Sequence, residues 1–112
     1  MKYRNKKIQI DMYVFDSKLE SIRYKQLALL ERAGKIKNLQ LQVPFLLQES
    51  FRKNGKTYRK IEYIADFVYE ENGQVIVEDT KGIKTEVFKI KQKLFEYKYP
   101  DLSLKIITKE EI

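Results

Sequence analysis

Residues 63–82, YIADFVYEENGQVIVEDTKG, decide the reading of the fold. Two runs rich in Tyr, Ile, Phe and Val flank Asn72-Gly73. That dipeptide is the strongest short hairpin signal, because both central residues of a type I′ turn need positive φ. A two-residue turn makes Glu71 face Gln74, and the same register carries Asp66 to the position opposite Asp79. Lys81, two residues beyond Asp79, shares their face of the sheet. Val68 and Val77 pair on that face too and give the acidic end an apolar floor, whereas Glu78 points the other way. A three-residue loop would instead shift the register by one and put Asp66 and Asp79 on different faces.

Outward from this hairpin, the period changes after Lys81-Gly82. Val87, Ile90, Leu94 and Tyr97, flanked by Phe88 and Phe95, predict an amphipathic helix that Pro100 ends. Leu102, Leu104 and Ile106 then alternate as a last strand. Upstream, residues 52–56 (RKNGK) read as a basic turn. Leu39, Leu41 and Val43 mark another strand, on which Pro44 signals an edge, bulge or bend. Before it, Asp16-Ser17 with Glu20 fits a capping box that starts a helix. One face of that helix carries Leu19, Ile22, Gln26, Leu30 and Ala33, with Leu27 alongside, and Gly34 sits at its C-terminal end. Residues 7–15, KIQIDMYVF, alternate as one short strand. The expected fold is α/β with a mixed central sheet: helix–strand–strand–strand–helix–strand with an extra N-terminal strand, one domain over residues 1–112.

Composition narrows the chemistry. The chain is 43% hydrophobic, enough to fold, and contains no run approaching a membrane span. MKYRNKKIQI lacks the apolar centre of a signal peptide, and there is no cysteine for a disulfide. A cytoplasmic protein is expected, with no membrane partner. With no His and no Cys, zinc fingers and Ser-His or Cys-His nucleophilic centres are excluded. The four glycines stand apart, so there is no glycine-rich phosphate loop. The net charge of +7 favours a polyanionic partner, usually nucleic acid.

Two carboxylates directly across a ladder repel one another, so the arrangement gains from a positive partner. Mg²⁺ suits it, since this ion takes one or two carboxylates and keeps several waters. A nearby lysine can then orient or deprotonate a water, or balance charge on a phosphate. The alternative is that Asp66, Asp79 and Lys81 are ordinary solvated strand-end residues. Gln42, on the strand after the first helix, either contacts substrate or water, or is a polar edge residue. Lys84, Lys89 and Lys93, with Arg52, Lys53 and Lys56 from the basic turn, are candidates to hold DNA phosphates. A solvated surface is the competing reading for each.

Asp66 followed by Asp79-Thr80-Lys81 resembles the D…(D/E)XK signature of the PD-(D/E)XK nuclease superfamily, with Ala65 in place of the nominal proline. The element order is similar to that superfamily's restriction-endonuclease-like core. KYRNKK (2–7), FDSKLESIRY (15–24), YIADFVY (63–69), VEDTKG (77–82) and KLFEYKYPD (93–101) further resemble a family of small phage and prophage nucleases. The resemblance implies an endonuclease hydrolysing DNA phosphodiesters with Mg²⁺ or Mn²⁺, with Asp66 and Asp79 binding metal and Lys81 assisting the attacking water. It adds Glu20 as a ligand, direct or through water, a role that competes with its place in the capping box. The activity it suggests is that of a Holliday junction resolvase acting on branched or double-stranded DNA as a homodimer. Two other classes remain open: a non-catalytic basic nucleic-acid-binding protein, and a protein-interaction module.

Overall fold

The computed structural model describes residues 7–15 and 17–112. Asp16 of the expected capping segment and residues 2–6 of KYRNKK therefore lie outside the described residues. In chain order the elements are β1 (Ile8–Ile10), β2 (Tyr13–Phe15), α1 (Lys18–Arg32), β3 (Lys37–Gln48), β4 (Phe51–Lys53), β5 (Lys56–Tyr58), β6 (Ile61–Glu71), β7 (Gln74–Thr80), α2 (Glu86–Lys98) and β8 (Ser103–Ile107). The central sheet runs β3-β6-β7-β8, antiparallel except for the parallel β7–β8 pair. This is the expected mixed α/β order of one helix, three sheet strands, a second helix and a last strand. Two small hairpins are added to it, β1–β2 ahead of α1 and β4–β5 between β3 and β6.

The turn chemistry sets the central register. Asn72 and Gly73 have φ of 53° and 80°, the left-handed pair a type I′ turn requires. The ladder that follows pairs Glu71 with Gln74, Val68 with Val77 and Phe67 with Glu78, as the two-residue turn predicts. Pro44 lies on β3, the edge strand, where a missing N–H costs the sheet nothing. Ser17 caps α1, its Oγ accepting from the Glu20 backbone N at 3.1 Å, and Gly34 follows the helix end with φ 78°.

Three local expectations change. Residues 7–15 form two three-residue strands rather than one, because Asp11 takes a left-handed backbone (φ 57°) and turns the chain. The Asp11 carboxylate accepts from the Tyr24 hydroxyl at 2.6 Å, tying that turn to α1. The basic turn at 52–56 is the tip of a longer hairpin spanning 51–58. Both helices also present a different face from the one their aliphatic residues suggest. On α1 the buried positions are Glu20, Ser21, Tyr24 and Leu27, while Leu30 is exposed. On α2 they are Phe88 and Phe95, while Val87, Ile90, Leu94 and Tyr97 face solvent. The larger rings bury more apolar surface per residue and so set the rotation of α2.

Two cores result, one on each side of the sheet. Phe15, Tyr24, Leu27, Ile36, Phe67, Tyr69 and Ile76 pack beneath α1. Leu47, Tyr63, Ala65, Val77, Phe88 and Phe95 pack beneath α2. Odd-numbered residues of β3 and β6 serve both: Leu41 and Phe67 join the first core, Phe45 and Ala65 the second. Strict alternation would keep odd residues on one face. The β3–β6 arm therefore changes face between Leu41 and Phe45, and Gln42, with φ 55°, lies in that interval.

Under α1 the sheet buries a charge. Glu78 is fully buried, and its carboxylate accepts from Arg23 Nε at 2.7 Å and Nη2 at 2.6 Å, and from the Tyr69 hydroxyl. Removing one partner of such a pair strands the other without solvent. Arg23→Ala should cost about 3–5 kcal/mol in urea unfolding, whereas Arg23→Met combined with Glu78→Leu should recover most of it. A single-mutant loss below about 1 kcal/mol would show that the pair does not hold α1 to the sheet.

Candidate active site

The β6–β7 ladder ends at Phe67 and Glu78, and the next position on each strand is a carboxylate. Asp66 Oδ2 accepts from the Thr80 backbone N at 2.9 Å and from Thr80 Oγ1 at 2.8 Å. Asp79, only 2% exposed, has its Oδ2 held by the Tyr63 hydroxyl at 2.7 Å, with Lys81 Nζ 3.2 Å away. Lys81 in turn lies 4.5 Å above the Phe88 ring, and its backbone N donates to Ile107 O at 3.0 Å. Asp66, Asp79 and Lys81 thus come together where β6 parts from β7, and Asp79 and Lys81 line a cleft of about 250 Å³ whose walls include Tyr63, Thr85, Phe88 and Lys91.

Burial, then the neighbouring Asp79 carboxyl within hydrogen-bonding reach, raises the Asp66 pKa to about 7, against the opposing effect of Thr80. Near neutrality Asp66 therefore still retains a proton, which it can share with Asp79 in a hydrogen bond. Burial and Asp79 likewise push the Tyr63 hydroxyl well above its ordinary range, so it stays a donor.

On the other side of Asp66 lies Gln42. Its Nε2 donates to Glu20 Oε2 at 2.7 Å and reaches Asp66 Oδ1 at 3.4 Å. Glu20 therefore does two things at once: its backbone N serves the helix cap, and its buried carboxylate joins the site through the Gln42 amide. Among the described residues no group of three or more His, Cys, Asp and Glu side chains could hold a metal ion. Two adjacent buried carboxylates are hard oxygen donors, and they fit a divalent cation such as Mg²⁺ that keeps most of its waters.

Residues 1–111 match a family described as "Protein of unknown function (DUF1064)". The chain belongs to that family. No curated protein matches it. Among solved structures it is similar to the crystal structure of SSO0001, at 18% identity and a TM-score of 0.43, over 81% of this chain. The DUF1064 chain spans 45% of that protein's length, and a likeness this slight carries no argument about function.

In this DUF1064 member the expected cationic residues fall into two places. Arg52, Lys53 and Lys56 stand on the β4–β5 hairpin. Lys84, Lys89 and Lys93 are exposed around the start of α2, with Lys89 Nζ 3.3 Å from Glu86 Oε2. Besides Lys81, the cleft is lined by Lys91, which sequence spacing does not single out because the α2 face is misjudged. Tyr63 and Thr80, the residues that fix Asp79 and Asp66, were missed as well. Thr80 is the only hydroxyl between the second acid and the lysine, a usable clue. Tyr63 could be read from sequence only by knowing that β6 changes face. Among the described residues no helix is long and apolar enough to cross a membrane.

The raised Asp66 pKa has a definite sign. The folded state binds a proton that the unfolded chain, near the ordinary value of 3.8, has released. That stabilisation is full below about pH 4 and is lost as pH rises through about 7. In EDTA, the melting temperature of wild type should fall relative to Asp66→Asn between pH 5 and 8. Mn²⁺ should restore wild type at pH 8 and leave the variant unmoved. A gap that is flat with pH would contradict the shared proton. At Gln42 the left-handed backbone of a side-chain-bearing residue costs about 1–2 kcal/mol. Gln42→Gly should accordingly be more stable than Gln42→Ala by about 1 kcal/mol in the same unfolding assay.

Proposed function

We propose that this chain is a divalent-metal-dependent DNA endonuclease of the PD-(D/E)XK type, acting on branched DNA in phage recombination or DNA processing. The observation that carries the reading is the meeting of Asp66, Asp79 and Lys81 where β6 leaves β7, with Lys81 Nζ 3.2 Å from Asp79. Two acids and a lysine from two adjacent strands, with no His or Cys available, suit phosphodiester hydrolysis better than any nucleophilic mechanism.

Asp66 and Asp79 would hold Mg²⁺ or Mn²⁺, which when bound supplies positive charge against a phosphate. Thr80 and Tyr63 fix the orientation of the two carboxylates. Lys81 holds or takes a proton of the attacking water, or neutralises the phosphate beside it. Glu20 sits behind Gln42, in position to orient water through the amide. The net charge of +7 supports a polyanionic substrate. Preference for a four-way junction rests on the absence of a sequence-reading motif and on the resemblance to resolvases. Symmetric cutting of a junction requires two centres, hence a homodimer on DNA.

The test is cleavage of end-labelled linear duplex, single strand, flap and four-way junction with Mg²⁺ or Mn²⁺. Lys81→Ala and Asp79→Asn should each lower the rate by about 100- to 10,000-fold. Preferential, symmetric junction cutting supports the resolvase form, and equal cutting of every substrate leaves the nuclease alone. Binding without cutting, unchanged in both variants, replaces the nuclease with a non-catalytic DNA-binding protein.

A further inference from the structure

The ten residues from Phe51 to Lys60 are all exposed and belong to neither core. They nevertheless form an ordered ribbon. Asn54 and Gly55, with φ of 52° and 74°, make a second left-handed two-residue turn. Phe51 and Tyr58 stack at its base, their ring centroids 4.8 Å apart and planes 9° from parallel. Arg52 braces the tip from behind, donating to Thr57 Oγ1 at 2.5 Å and Gly55 O at 3.2 Å.

Its register is the informative feature. Lys53 is paired directly with Lys56, and Phe51 with Tyr58, so the two lysines and the aromatic stack share one face. Like charges facing each other across a ladder are unfavourable, and an isolated two-stranded hairpin is marginal to begin with. Arg59 extends the charge toward the sheet, where Lys60 pairs with Glu62 at 3.3 Å, and no acidic residue lies between 51 and 60. Lys56 lies 5.0 Å from the centre of the Tyr58 ring, a contact that supports one lysine and leaves the Lys53–Lys56 repulsion in place. A phosphate seated between the lysines removes the repulsion.

We propose that the β4–β5 hairpin is a phosphate clamp that grips the backbone of duplex DNA away from the carboxylate centre. The proposal rests on the DNA-processing reading above for its partner, though not on cleavage itself. The ribbon extends from the β3–β6 arm that carries Gln42 and Asp66. Asp66 lies eleven residue steps beyond Gly55, at most about 36 Å of extended chain. That is about one turn of B-DNA. The clamp would thus hold a duplex arm within about one turn of the phosphate at Asp66 and Asp79. A two-stranded ribbon is narrow enough to follow a major groove.

The experiment compares Arg52→Ala/Lys53→Ala/Lys56→Ala with wild type and with a charge-matched control, Lys35→Ala/Lys37→Ala/Lys109→Ala, whose positions are exposed and lie outside the hairpin. Binding to a fluorescein-labelled 30-base-pair duplex is read by anisotropy in EDTA across a salt series, with circular dichroism and melting temperature as folding checks. The hairpin variant should bind at least tenfold more weakly and lose about 2–3 from the slope of log K against log salt. The control should lose distinctly less. Equal weakening in both variants, or none in the hairpin variant, overturns the clamp. Wild type that binds but never cuts removes the nuclease reading and leaves the clamp standing. Wild type that binds no DNA removes both.

Discussion

Two carboxylates one ladder step beyond the last β6–β7 pair are held side by side by backbone geometry, and most of the structure answers to that constraint. Asn72 and Gly73 fix a two-residue turn, the turn fixes the register, and a period of two puts Asp66 and Asp79 on one face. Their repulsion is met locally. Thr80 donates twice to Asp66, Tyr63 donates once to Asp79, and Lys81 stands beside Asp79. The remaining imbalance shows as a proton that Asp66 keeps to near neutrality.

Around this pair the sheet bends. The β3–β6 arm feeds the α1 core with one half and the α2 core with the other, and the passage occurs beside Gln42 and Asp66. Left-handed backbone on a residue that is not glycine is strain, and strain of this kind persists where the surroundings over-determine it. Here the bend brings three elements to one point: Glu20 from α1, Gln42 from β3 and Asp66 from β6. It also turns Tyr63 toward Asp79, which strict alternation along a flat strand would not place on that side.

The parts of this arrangement visible in the sequence are those governed by local rules. Asn72-Gly73 announces its turn, Ser17 its cap, and alternation around Val68 and Val77 the face on which the acids lie. The central order of helices and strands follows. What sequence could not supply depends on competition between distant groups. The aliphatic stripe Val87, Ile90, Leu94 and Tyr97 satisfies helical spacing as well as Phe88 and Phe95 do, and only the shape of the opposing core decides in favour of the rings. A left-handed Asp11 breaks an apparently continuous strand because Tyr24, thirteen residues away, binds its carboxylate. The lysines at 53 and 56 looked like a turn because β4 and β5 are only three residues each.

Glu78 and Asp79 show how much position alone determines. They are neighbours in sequence, both are buried, and both are acids. Glu78 falls beneath α1, where Arg23 meets it with two hydrogen bonds and Tyr69 with a third, so its charge is fully compensated within the protein. Asp79 falls on the opposite face, against a cleft, beside a second acid, with a single lysine and a tyrosine for partners. A fold that needed only to bury two acids would compensate both alike. The sheet separates them by one residue, closing one charge into structure and setting the other, itself buried, against the cleft, and that asymmetry is what distinguishes the Asp79 face.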